Sequence, residues 1–183
     1  ACSGGEEIKV DRPLEEIYAD AYKEFNDKDY DNAAELFQTA ESQYPASPWV
    51  ADALVMMAYS RYMDKDFAGS ILAIDRYMRF HPGHRDVPYM MYLRGMCYYR
   101  QVSDVRRDPG MSAYALQQFQ QLVDRFPSSE YAKNAENKIL ILKELVQKNE
   151  FSSFNNHRMI YLLIFYFLYF PYIFLQQKLL FFL

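Results

Sequence analysis

Apolar residues return along this chain at helical spacing, and the polar interruptions between them repeat as well. Leu14, Ile17, Ala21 and Phe25 share one face of a helix that Pro13 opens. Asn26-Asp27-Lys28-Asp29 interrupts it. Tyr30 to Gln43 then resumes the pattern, with Ala33, Phe37 and Ala40 on one face and Tyr44-Pro45 as its stop. The same arrangement recurs 37 positions on, pairing Ala21 with Ala58, Phe25 with Tyr62, Lys28 with Lys65, Tyr30 with Phe67, Phe37 with Ile74 and Pro45 with Pro82. A third copy keeps that offset through Gly95 and Tyr99. Its second helix lies eight residues further on, so that Ile74 maps to Phe119 and Pro82 to Pro127. The extra residues fall within Val102–Gly110. Ser128-Ser129-Glu130-Tyr131-Ala132 then echoes Ala46-Ser47-Pro48-Trp49-Val50 and starts a further helix, expected from about Ser129 to Lys148.

Repetition near 34 residues, with small residues at fixed offsets and a closing proline, marks tetratricopeptide helix pairs. The expected fold is all-α: a right-handed superhelix of three pairs plus a terminal helix, ending in an atypical apolar tail. Small residues recur where paired helices should cross closely: Ala21, Ala58 and Gly95, opposed by Ala33, Ser70 and Ala115. Stacked pairs curve and leave a concave surface lined by their first helices. Repeat geometry places Glu15, Tyr18, Tyr22 and Phe25 there, then Asp52, Val55, Tyr59 and Tyr62, then Tyr89, Tyr92, Met96 and Tyr99. Two readings stand for these aromatics: ordinary packing between repeats, or a peptide groove. The groove set is Tyr18, Tyr22, Phe25, Tyr59, Tyr62, Tyr92 and Tyr99. Tyrosine suits such a groove because it offers apolar area and a hydroxyl at low entropic cost.

Charge narrows the class. All 24 acidic residues lie at or before Glu150, against 18 of the 20 basic ones, and a formal net of −4 gives no support for nucleic-acid binding. No nucleophile elbow, phosphate-binding loop or convergent carboxylate pair appears, so neither an enzyme nor a cofactor is expected. His81 and His84 have a spacing seen in metal sites, but no Cys or carboxylate cluster joins them, and no metal is expected. The segment Ser103 to Pro109 alternates charges and reads as a solvated, ion-paired loop. Cys97 sits in an apolar run and reads as an inert buried thiol.

Both ends depart from the repeat. Residues 1–12 are expected to be a flexible tether, 13–150 the repeat domain and 151–183 an apolar tail. Ala1-Cys2-Ser3-Gly4-Gly5 resembles the cleavage region of a bacterial lipoprotein, in which Cys2 would carry the lipid; a mature terminus would begin at Cys2 itself. The other reading is a stray cysteine in a disordered leader. The tail holds 12 of the chain's 32 aromatics and no acid, and Met159–Gln177 is uncharged and long enough to span a bilayer. A membrane span, an interfacial helix and out-of-frame translation of an AT-rich stretch compete for it. The last is favoured, because the repeat breaks abruptly and a lipid anchor makes a span redundant.

Several segments carry a resemblance: residues 34–45, Asp75-Arg76-Tyr77-Met78-Arg79-Phe80-His81-Pro82, Tyr92-Leu93-Arg94-Gly95, Arg106-Arg107-Asp108-Pro109 and Phe119 to Pro127. Over roughly residues 11–151 the chain resembles the outer-membrane assembly lipoproteins of the BamD (YfiO/ComL) family. That resemblance implies a non-enzymatic scaffold on the periplasmic face of the outer membrane, lipid-anchored through the position matching Cys2. It implies partners too: the periplasmic domains of a BamA-type barrel assembly protein, companion lipoproteins, and unfolded outer-membrane proteins whose segments the N-terminal repeats would hold. Relatives contact BamA largely through C-terminal repeats, and after Phe151 this chain no longer follows them. The alternative is another periplasmic tetratricopeptide protein serving envelope division or peptidoglycan assembly.

Overall fold

The computed structural model describes residues 12–102 and 109–147. The described residues form seven helices and no strand: α1 (Leu14–Asn26), α2 (Tyr30–Gln43), α3 (Val50–Met63), α4 (Phe67–Phe80), α5 (Val87–Arg100), α6 (Pro109–Arg125) and α7 (130–147). Each of the first six packs chiefly on its sequence neighbours, and α3 also touches α5. Neighbour-to-neighbour stacking of this kind is what a solenoid requires, since no single pair can bury its apolar face alone. The fold is the expected tetratricopeptide superhelix of three pairs and a terminal helix. Two starts shift slightly. Pro13 stands just before α1 with ψ 139°, and Ser47-Pro48, expected from the residues to start the third helix, lie in the turn before α3. The tether with Cys2, the loop 103–108 and the tail 151–183 lie outside the described residues.

The small-residue positions sit at the centre of each pair. Ala21 and Ala33, Ala58 and Ser70, and Ala115 are fully buried, and Gly95 is buried with them. Pair three is tighter than a Gly–Ala crossing alone: a Cβ on Gly95 would stand 2.6 Å from Cδ1 of Phe119, one turn beyond Ala115. Pair two adds a polar tie, since the Ser70 hydroxyl donates to the Ala58 carbonyl at 2.8 Å. The Cys97 thiol in turn donates to Ser70 Oγ at 3.4 Å, and burial pushes that thiol up to about 11, consistent with the inert role read from sequence.

The repeated Asp-Lys-Asp turn has a geometry that residue type alone does not announce. Lys28 and Lys65, 37 positions apart, both adopt left-handed backbone, at φ 65° and 69°. In the first turn the Lys28 N–H donates to the Phe25 carbonyl at 3.1 Å and the Asp29 N–H to Glu24 at 2.9 Å, the bonding of a Schellman motif. Glycine ordinarily fills that position because it has no Cβ to clash. The following aspartate then caps the next helix: Asp29 accepts from the Asn32 N–H, and Asp66 from the Gly69 N–H at 2.9 Å. Five residues thus end one helix and begin its partner.

Two expectations follow for stability. Gly95→Leu should destabilise by about 1–3 kcal/mol, because the Phe119 ring must be displaced, whereas Lys65→Ala exchanges one L-residue for another and should be near neutral. Lys65→Gly should stabilise by about 0.5–1 kcal/mol, the left-handed penalty of about 1–2 kcal/mol being partly offset by the freedom glycine gains on unfolding. Urea denaturation of the three variants checks both; equal midpoints for Gly95→Leu and Lys65→Ala would contradict the assignment of Gly95 to the crossing.

Candidate functional site

The first helices α1, α3, α5 and α7 present an almost continuous run of aromatic rings. On α1, Tyr18 packs edge-on against Trp49 (centroids 5.0 Å apart) and Phe37 (5.7 Å), and Tyr22 meets Phe37 at 5.4 Å. Phe25 bridges to α3 by meeting Tyr59 at 5.7 Å, and Tyr59 stacks near-parallel on Tyr62 at 6.3 Å. Tyr89 and Tyr92 of α5 both lean on Tyr131 of α7, at 5.4 and 5.9 Å. Tyr92 and Tyr99 share Phe119. Offset and edge-on pairs of this kind contribute about 0.5–1.5 kcal/mol each beyond their buried area, so the belt is a structural element in its own right.

The seven residues singled out from sequence differ in depth. Tyr18 is buried, and its hydroxyl donates to the Trp49 carbonyl, so it supports the surface from beneath. Tyr22 is 42% exposed and is the most open of the seven. Phe25, Tyr59, Tyr62, Tyr92 and Tyr99 are half-buried, each with one side on the core. Sequence reasoning missed Trp49 and Tyr131, which lie just before or at the start of their helices and complete the belt; both are partly open, at 41% and 37%. Their signal was present in the Trp49–Tyr131 echo between units two and four.

Burial favours the neutral form of five phenols here. Burial raises the Tyr18, Tyr22, Tyr62, Tyr89 and Tyr92 hydroxyls above the ordinary tyrosine value, and Asp52 adds to the effect at Tyr18 and Tyr22. At neutral pH they are therefore hydrogen-bond donors and acceptors without charge. Cations stand at the other end of the belt: Arg100 lies over the Tyr62 ring at 6.0 Å, and Lys138 over the Tyr99 ring at 4.8 Å.

Other chemistry is limited. The buried Tyr77 hydroxyl lies 2.6 Å from His84 Nδ1, which is also 3.5 Å from Asp86, so His84 serves the turn between α4 and α5. Burial pushes Tyr77 up to about 12. Among the described residues no three His, Cys, Asp or Glu converge on a possible metal position. A cleft of about 610 Å³ opens between α2, α3 and α4, lined by Arg61 and by the ion pair Arg76–Glu41 and edged by exposed Leu72 and Phe80. No described helix is long and apolar enough to cross a membrane.

Comparison with known proteins gives this stack of helix pairs a family. The family of outer membrane lipoproteins called YfiO matches residues 10–161. The chain belongs to the YfiO family. The match runs past Phe151, where likeness was no longer legible in the residues themselves. Among relatives, the outer membrane protein assembly factor BamD of Neisseria meningitidis serogroup B is 33% identical over 156 residues, covering 80% of this chain and 58% of that protein. BamD of Caulobacter vibrioides is 30% identical over 143 residues, covering 78% of this chain and 47% of its own length. BamD of Vibrio cholerae is 25% identical over 152 residues. The chain spans about half the length of the curated relatives it matches. Reading it as a scaffold rather than an enzyme agrees with these YfiO-family relatives, each named as an assembly factor.

The differing depths of Tyr18 and Tyr22 make a direct prediction. Tyr18→Phe should cost about 1 kcal/mol by removing one of the two donors to the Trp49 carbonyl, which keeps the Ala53 N–H, whereas Tyr22→Phe should leave stability unchanged. Denaturation followed by fluorescence of Trp49, the only tryptophan in the chain, reads both.

Proposed function

We propose that this protein is a non-enzymatic scaffold for outer-membrane protein assembly, and that its first-helix face holds extended segments of unfolded β-barrel proteins. The observation that carries the groove reading is the belt itself: half-exposed rings from four successive first helices, backed by buried ones, with neutral hydroxyls among them. A barrel strand alternates apolar and polar side chains. Laid along this face, it sets every second side chain against rings, while tyrosine hydroxyls meet its main-chain groups. Such recognition tolerates varied sequence.

Family membership supports the setting: the periplasmic face of the outer membrane, anchored by lipid on Cys2, beside a BamA-type assembly protein and companion lipoproteins. A service to envelope division or peptidoglycan assembly is the competing reading, and nothing in the site favours it. Mass spectrometry of Cys2 in the native host tests the anchor, a diacyl or triacyl thioether being the expected result.

Each aromatic contact contributes about 0.5–1.5 kcal/mol, so a peptide engaging several rings should bind in the micromolar range, which suits handover. Titrating a synthetic barrel-strand peptide into the full chain tests this, wild type against Tyr22→Ala/Tyr59→Ala. The expected result is a loss of about fivefold or more, at least one weak ring contact at each of two sites. If the double variant folds and binds equally well, the rings serve packing alone.

A further inference from the structure

The seams between successive units carry two clefts at matching places in the repeat. The first, about 610 Å³, lies between α2, α3 and α4; the second, about 430 Å³, lies between α4, α5 and α6. Met57, Arg76 and Phe80 line the first, and their repeat equivalents Arg94, Gln121 and Arg125 line the second. Glu41 of the first has Met78 of the second as its counterpart. Charged and apolar residues thus exchange places from one seam to the next, and each cleft keeps both kinds. No ring of the aromatic belt lines either of them.

Each cleft has an exposed guanidinium with no carboxylate on it among the described residues. Arg79 is that residue in the first; in the second it is Arg125, which lies over the Phe126 ring at 5.0 Å. Arg94 gives its Nη1 to Asp75 at 2.9 Å, while its Nε–H is buried without an acceptor. Arg76, by contrast, is held by Glu41 at 2.7 Å. Apolar surface stands beside these cations. Leu72 and Phe80, at 70% and 63%, are the most exposed large hydrophobics among the described residues. They lie eight positions apart on α4 with Arg76 midway, so the three share one stripe of the helix. Two such side chains on one stripe beside a cleft mark a contact surface rather than scattered exposure.

From these paired clefts we infer that the second-helix seams dock an acidic, amphipathic segment of a partner protein. Its apolar side chains pack beside Leu72 and Phe80 at the first seam and beside Met78 and Met91 at the second. Its carboxylates meet Arg79 and Arg125. Charge complementarity selects this partner: five arginines line the two clefts against three carboxylates, on a chain whose formal net charge is −4. The planar fork of arginine matches a carboxylate, and no lysine lines either cleft. An anionic bilayer fits less well, because Glu41, Asp75 and Asp124 stand among the cations and would face its phosphates. The surface is separate from the aromatic groove and does not rest on that reading.

Fluorescence anisotropy on the full chain tests this with a labelled ten-residue peptide that alternates Leu and Glu and has both termini capped. It should bind, and the same peptide with Lys for Glu should not. Arg79→Glu/Arg125→Glu, checked for native helicity by circular dichroism, should weaken binding about tenfold or more, the loss of at least one charge-assisted contact. Leu72→Ser/Phe80→Ser should weaken it too, whereas Tyr22→Ala/Tyr59→Ala should leave it unchanged. Failure of the Glu peptide to bind, equal binding of the Lys peptide, or full affinity in Arg79→Glu/Arg125→Glu overturns the inference. Loss of binding in Tyr22→Ala/Tyr59→Ala overturns it as well, by placing the peptide in the groove. Phosphatidylglycerol vesicles that bind the wild type but not Arg79→Glu/Arg125→Glu overturn it in favour of a lipid surface. A dimer in sedimentation equilibrium that Leu72→Ser/Phe80→Ser dissolves overturns it in favour of a second copy of the chain.

Discussion

Everything in this molecule depends on how closely the two helices of a pair approach. At Ala21–Ala33, Ala58–Ser70 and Gly95–Ala115 no side chain larger than the local partner tolerates stands between the backbones. Close approach lets the large residues one turn away, Phe37, Ile74 and Phe119, reach across the pair and become fully buried. Those three occupy the same repeat position. Widen the crossing and each loses its contacts on one side, which in a close-packed interior has no compensating partner. Pair geometry in turn sets how the next pair docks, and therefore where the first helices point their rings.

Much of that was legible in the residues, and the reason is periodicity. A 37-residue offset carries position from one unit to the next, so the small crossing residues and the closing prolines identify one another. What offset cannot carry is backbone handedness. Lys28 and Lys65 occupy the left-handed position at a helix end where glycine is the usual signal. Lysine there is silent to any composition-based reading. The turn is specified by its neighbours instead, by the Schellman bonds before it and the aspartate cap after it, and these outweigh a local strain of about 1–2 kcal/mol.

The site was legible in outline and not in depth. Position along the repeat names a face, and the seven aromatics do fall on helices α1, α3 and α5. Whether a ring is buried depends on what later units bring to it. Tyr18 sinks because Trp49 arrives from the next unit and offers a carbonyl to its hydroxyl; Tyr22, one turn on, has no such visitor and stays open. Arg100 and Lys138 were invisible for a related reason. Each meets a tyrosine of the preceding unit, Arg100 one residue beyond the 37-residue offset and Lys138 six short of the 45-residue offset between units three and four, so no alignment of the units to one another pairs them.

Packing and binding are not rival explanations of such a belt. A ring that is half-buried against the core has already lost its rotamer freedom on folding, so a peptide that lands on its open half does not incur that ordering cost again. The same contacts that hold Tyr59, Tyr62 and Tyr92 against their neighbours thus fix their rings in place, as the proposed groove requires. A fully exposed tyrosine lacks this advantage, and a fully buried one lacks the surface. Intermediate burial is the condition that serves both, and a solenoid produces it wherever the seam between two units opens onto the face that the first helices line.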